Sequence, residues 1–166
     1  MKSVKRLRSL TLFLSLLLVF GCNSNAKNNQ INFDIIASEK TLPIHFNEIA
    51  FEEQYLVRKL VNQSEFEDTW NLYAFESKTP NVDLKEKDVF FIGVHESGSC
   101  PYKIRNIKRN SDNKTITVPL SEPNGACTSD ATPRTLVIQI DKEKSKDIES
   151  VVIVQSGVET SVPLKN

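Results

Sequence analysis

The strongest constraint on the fold is a series of short segments that alternate apolar and polar residues or are rich in β-branched and aromatic side chains. Turn-forming clusters separate these segments, and strands do not alternate regularly with long amphipathic helices. We therefore predict a mainly β (α+β) fold. Its expected form is an antiparallel β-sandwich or open barrel of about seven to eight strands with one appended helix.

The one appended helix is predicted over residues 65–76. Ser64 and Glu67 have the spacing of a capping box, in which each side chain satisfies a backbone N–H of the first turn. Phe66, Trp70 and Tyr73 recur at helical spacing and so share one face. We expect this aromatic face to pack in the core against residues 89–94, a nearly continuous apolar strand that needs cover on both sides.

The first 30 residues have a different character. Four of the 21 basic residues lie in the first eight positions, where there is no acidic residue, and residues 10–20 form an apolar run. As a helix this run would extend about 16 Å, roughly half the hydrocarbon core of a bilayer. The pattern is typical of an export signal.

The apolar run ends in VFGC at residues 19–22. This sequence resembles the lipobox of bacterial lipoproteins, in which the cysteine thiol receives a diacylglycerol before cleavage on its N-terminal side. The resemblance implies lipidation at Cys22 and a place on the cell membrane, facing the extracytoplasmic side. The alternative is a released protein cut after Ala26, because SNA at residues 24–26 also fits a cleavage site.

Three parts of the chain follow from this interpretation. Residues 1–21 are the expected signal peptide, 22–30 the lipidated cysteine with a polar, flexible tether, and 31–166 an extracytoplasmic β-rich domain. Because the four basic residues above lie before Cys22, the rest of the chain carries 17 basic against 21 acidic residues. A mildly acidic domain argues against a nucleic-acid partner.

Two further cysteines, Cys100 and Cys127, lie in the exported domain. Outside the cytosol such a pair is typical of a structural disulfide. A metal site is disfavoured because no CxxC spacing occurs and the only histidines are His45 and His95. A redox-active pair is disfavoured for the same lack of a CxxC, and no cofactor is indicated.

Residues about 55–141 resemble the C-terminal domain of the PrcB-like lipoproteins, a family named after a lipoprotein of a bacterial surface protease complex. The resemblance rests on Trp70, PNVDL at 80–84, FIG at 91–93, and SGSCPYKI at 97–104. The family usually has a Thr-Gly-Gly-Tyr loop in the last segment, and here Cys100 and Pro101 replace its flexible centre. The resemblance implies an extracytoplasmic β-rich domain that binds or stabilises a partner protein, with a protease as the favoured candidate.

The loops 96–101 and 121–133 would be joined by the Cys100–Cys127 bond. Two joined loops at one end of a β-sandwich are a reasonable place for a binding surface. The candidate binding residues are Ser97, Gly98, Ser99, Pro101, Tyr102, Asn124 and Gly125. The alternative is a disulfide that only orders two long loops.

The functional prediction is a membrane-anchored, non-catalytic protein-binding module. A cell-wall or small-ligand binding lipoprotein is the alternative. A surface hydrolase would need His95 with Ser97 or Ser99 and a carboxylate such as Asp112. No G-x-S-x-G sequence supports that reading, so no catalytic residue is predicted.

Overall fold

The computed structural model describes residues 29–164, which form ten strands and three helices. The predicted signal peptide, the lipidation site at Cys22 and most of the tether lie outside the described residues. Within 29–164 no helix has both the length and the apolar character needed to cross a membrane.

The elements are short and mostly extended. The strands are Gln30–Ile31 (β1), Phe33–Glu39 (β2), Leu56–Leu60 (β3), Lys87–Glu96 (β4), Lys103–Ile104 (β5), Ile107–Arg109 (β6), Thr115–Ser121 (β7), Thr132–Asp141 (β8), Ser150–Gln155 (β9) and Val158–Pro163 (β10). The helices are Phe46–Ile49 (α1), Gln63–Leu72 (α2) and Lys142–Ser145 (α3). The predicted mainly β fold is confirmed.

The strands form two sheets that pack face to face. One has the order β1-β6-β7-β9-β10, with β5 also paired to β7, and the other has the order β2-β8-β4-β3. The main core lies between them and includes Phe90, Ile92 and Val94 of β4. A second core lies on the far side of the four-stranded sheet, where α1 and α2 cover Val89 and Phe91. The predicted two-sided burial of this strand is confirmed.

One strand pair departs from the expected antiparallel arrangement. β7 and β9 are parallel, with Thr115 opposite Ser150 and Leu120 opposite Gln155. Parallel neighbours need a long crossover connection. The chain supplies it by leaving β7, passing through the other sheet as β8 and returning through α3.

The aromatic face of α2 packs as predicted. Phe66, Trp70 and Tyr73 are at most 3% exposed. Their rings surround Phe91, with centroid distances of 6.0, 6.1 and 5.2 Å respectively. The contacts of Phe66 and Trp70 with Phe91 are edge-on, and contacts of this kind add to the free energy gained by burying the rings.

The boundaries of this helix differ from the prediction. The helix covers 63–72, not 65–76, and Asn62 rather than Ser64 caps it, because Asn62 Oδ1 accepts a hydrogen bond from Glu65 N at 2.9 Å. Asn is as good a cap as Ser and comes first in the chain. The helix ends early because Ala74 has a φ of 52°, which does not continue a right-handed helix.

Candidate binding surface

The predicted disulfide is confirmed. Cys100 and Cys127 are bonded with an S–S distance of 2.02 Å and a Cα–Cα distance of 5.6 Å. The bond joins two loops at one end of the sandwich, residues 97–101 after β4 and residues 122–131 between β7 and β8, which we call the loop pair. On the chain-entropy account, closing 27 residues stabilises the fold by about 3–4 kcal/mol.

Asp130 organises the loop pair beside the disulfide. Its Oδ1 accepts a hydrogen bond from Gly98 N at 3.0 Å, and its Oδ2 accepts one from Thr132 Oγ1 at 2.9 Å. Thr128 Oγ1 also donates to Oδ1. These donors, Thr128 foremost, hold the pKa of Asp130 well below its ordinary value. A Cβ at position 98 would overlap this carboxylate, so glycine is required for the arrangement.

Three hydroxyl groups extend this network across the loop pair. Thr128 N donates to Ser99 Oγ at 2.9 Å, and the Oγ atoms of Ser97 and Thr128 are 3.0 Å apart. Ser97 and Ser99 Oγ are 3.2 Å apart. Two of the candidate residues, Ser97 and Ser99, are therefore committed to holding the loops together.

A buried ion pair lies directly beneath the loop pair. Arg134 Nε donates to Glu96 Oε1 at 2.7 Å, and both side chains are at most 10% exposed. Glu96 Oε2 accepts a hydrogen bond from Tyr102 N at 2.7 Å, and Arg134 Nη1 donates to Ser38 Oγ at 3.2 Å. The last residue of β4 thus fixes the point at which the chain leaves the first loop.

Tyr102 requires a correction. It is only 5% exposed and belongs to the main core, so its ring does not face the surface of the loop pair. Its hydroxyl accepts a hydrogen bond from Gln155 Nε2 at 2.5 Å, and Gln155 Oε1 accepts one from Tyr55 at 2.6 Å. Burial raises the pKa of Tyr102. This residue therefore anchors the loop pair from below.

The other candidate residues differ in their exposure to solvent. Ser97 and Gly98 are half-buried, whereas Ser99, Pro101, Asn124 and Gly125 are exposed. Gly125 has a φ of 139°, which favours glycine. The Ser99 hydroxyl is used in holding the loops together, so Pro101, Asn124 and Gly125 are the exposed candidates that remain for contact with a partner.

Asp130, Glu96 and Arg134 were not singled out from the sequence. One local signal exists for Asp130: the sequence TSDAT places a threonine two residues on each side of the carboxylate. Short polar side chains at that spacing often bond to one another or to nearby backbone in turns. Nothing local marks Glu96 and Arg134, because their pairing depends on the long-range register of β4 and β8.

The residues considered for a hydrolase have other partners. The His95 ring packs edge-on against Phe46, with centroids 5.1 Å apart. Asp112 accepts hydrogen bonds from Lys114 and Thr115 in the β6–β7 turn. Within residues 29–164 no group of three or more His, Cys, Asp or Glu side chains has an arrangement that could hold a metal ion.

Comparisons of the chain with protein-family profiles, with curated protein sequences and with solved structures find no match.

Proposed function

We propose that the chain is a bacterial lipoprotein, anchored through a diacylglycerol on Cys22 at the extracytoplasmic face of the cell membrane. Its β-rich domain acts as a non-catalytic module that binds another exported protein. The resemblance to the PrcB-like family makes an exported protease the favoured partner. A released form cut after Ala26 is the competing possibility, and replacing Cys22 with Ser distinguishes them by loss of the protein from the membrane fraction.

The observation that supports a binding module most directly is the construction of the loop pair. A disulfide, the Asp130 carboxylate and a buried ion pair all fix the same two loops. Loops held this firmly lose little conformational freedom on binding, so more of the contact energy appears as affinity. Pro101 and Asn124 are presented to solvent on this rigid support.

Site-specific photo-cross-linking on intact cells tests the proposal. A photoreactive amino acid replaces Asn124 in the full-length chain, and the matched control places it at Ser111, an exposed residue of the β6–β7 turn. We expect a discrete adduct with an exported protein from position 124 and not from position 111. The same adducts from both positions, or none from position 124, would contradict a binding site on the loop pair.

A further inference from the structure

A second surface, which shares no residue with the loop pair, lies along β3. A groove of 1090 Å³ follows this strand, which is the outermost strand of the four-stranded sheet. One wall comes from α1 and α2, and the other from β10 and Lys146. The groove therefore exposes the edge of a sheet rather than one of its faces.

The backbone of β3 shows which atoms this edge offers. Phe51 N donates to Tyr55 O at 2.6 Å, and Tyr55 N donates to Phe51 O at 3.1 Å. Tyr55 thus turns its backbone groups away from β4. Every second residue of an antiparallel strand points the same way, so the N–H and C=O groups of Val57 and Lys59 also face the groove. Among residues 29–164 no strand pairs with this side of β3.

The two walls differ in chemistry. The helical wall carries the carboxylates of Glu48, Glu65 and Asp68, and Arg58 of β3 also lines the groove. The opposite wall includes the exposed Pro163 and the edge of Val162, whose side chain lies in the main core.

The other two basic side chains at the groove already have acidic partners. Lys59 Nζ is 3.3 Å from Asp88 Oδ2, and Lys146 Nζ is 3.1 Å from Glu143 Oε2. They therefore do little to offset the acidic wall.

We propose that this groove binds an extended peptide segment of another protein, which adds a strand to β3. Side chains alternate along a strand. The bound segment would place basic side chains against Glu65 and Asp68, and apolar side chains against Pro163. Its backbone would pair with Val57 and Lys59, the mode of recognition known as strand addition.

A second copy of this chain fits the groove less well. Two copies of β3 paired antiparallel about their centres would bring Arg58 opposite Arg58, and like charges directly opposite each other destabilise a strand pair. The two acidic walls would also face each other. The charge pattern therefore favours a basic segment of a different protein.

Fluorescence polarisation with the full-length protein tests this proposal. The probe is a labelled seven-residue peptide that alternates lysine with valine, and its matched control alternates glutamate with valine. Two further versions of the lysine peptide are N-methylated at one or the other alternate set of backbone amides. We expect the lysine peptide to bind, the glutamate peptide to bind at least about fivefold more weakly, and one N-methylated version to lose binding.

Variants of α2 locate the site. Glu65→Gln together with Asp68→Asn should weaken binding of the lysine peptide about fivefold. Glu67→Gln is the control, because Glu67 is exposed on the same helix but does not line the groove. Three results would overturn the proposal: no binding up to about 1 mM peptide, equal binding of the lysine and glutamate peptides, or full binding of both N-methylated versions. A stable dimer that the peptide does not dissociate would assign the groove to a second copy instead.

Discussion

The two ends of β4 each bury a carboxylate, but they are built differently around it. At the first end Asp88 is 1% exposed, and at the last end Glu96 is 3% exposed. Asp88 lies among elements that close over it, whereas Glu96 supports loops that project into solvent. A buried carboxylate thus contributes to stability at one end of the strand and positions a surface at the other.

The Asp88 end is sealed by a short helix. Ser145 Oγ of α3 donates to Asp88 Oδ2 at 2.8 Å, and Lys142 Nζ lies 3.6 Å from Oδ1. Lys59 adds the contact described above and also donates to Ser145 O at 2.6 Å. Two lysines share one carboxylate here, and each also bonds a backbone carbonyl.

The Glu96 end depends on one cation. Arg134 is the only basic side chain that pairs with Glu96 within residues 29–164, and the pair also holds the backbone of Tyr102. Loss of one partner therefore leaves the other buried and uncompensated, which is costly. The two ends should respond unequally to the same kind of substitution.

The largest expected effect comes from neutralising each carboxylate in turn. Glu96→Gln should lower the free energy of unfolding by about 3–5 kcal/mol, because Arg134 would remain as a buried charge without its counterion. Asp88→Asn should cost less, about 1–3 kcal/mol, because Lys59 and Lys142 keep their carbonyl partners and Lys142 reaches water. Urea denaturation of both variants measures the difference. Equal losses would show that the two ends are equivalent.

The sequence predicts the features that depend on neighbouring residues, but not the pairings between distant residues. The nearly continuous apolar run at 89–94 predicted that β4 is buried on both sides, and the aromatic spacing of α2 predicted its buried face. Both are signals carried by neighbouring residues. Arg134 of β8 is also buried, but no neighbouring residue indicates this, because its partner Glu96 lies 38 residues away in the sequence.

Tyr102 shows the same limit at the loop pair. Pro101 and Lys103 on either side of it are exposed, and only the pairing of β5 with β7 determines that Tyr102 points inward. The sequence also did not predict the parallel β7–β9 pair or the four-residue helices α1 and α3. Long-range topology determines the first, and the helices are too short for a periodic signal.

A smaller effect, present at neutral pH and lost in acid, is expected at Asp130. Its folded-state pKa is lowered, so its contribution to stability is fully present above its ordinary pKa of 3.8 and is lost as the pH falls through the folded value. Asp130→Asn should therefore be destabilising near pH 7, and the gap from the wild-type protein should shrink below about pH 4. Thermal unfolding of both proteins across that range measures this. A gap that is constant with pH would mean that the Asp130 hydrogen bonds do not depend on its charge.

The smallest effect on stability is expected at the exposed residues of the loop pair. Pro101→Ala together with Asn124→Ala should change the free energy of unfolding by no more than about 0.5 kcal/mol per site, because neither side chain is buried. The same variant should give less of the cross-linked adduct with the partner protein on intact cells. Reduced stability with normal capture would contradict the role in binding that we assign to these two residues.

The central claim is that the disulfide-linked loop pair binds a partner protein. Its most direct test compares the yield of cross-linked partner, here called capture, for the wild-type protein and for the variant Cys100→Ser/Cys127→Ser. Both proteins are used at a temperature at which circular dichroism shows them to be folded, since loss of the disulfide lowers stability by about 3–4 kcal/mol. We predict that the folded variant loses most of its capture, because the loop pair no longer has its fixed conformation. Undiminished capture by the folded variant would contradict a binding surface built by the disulfide.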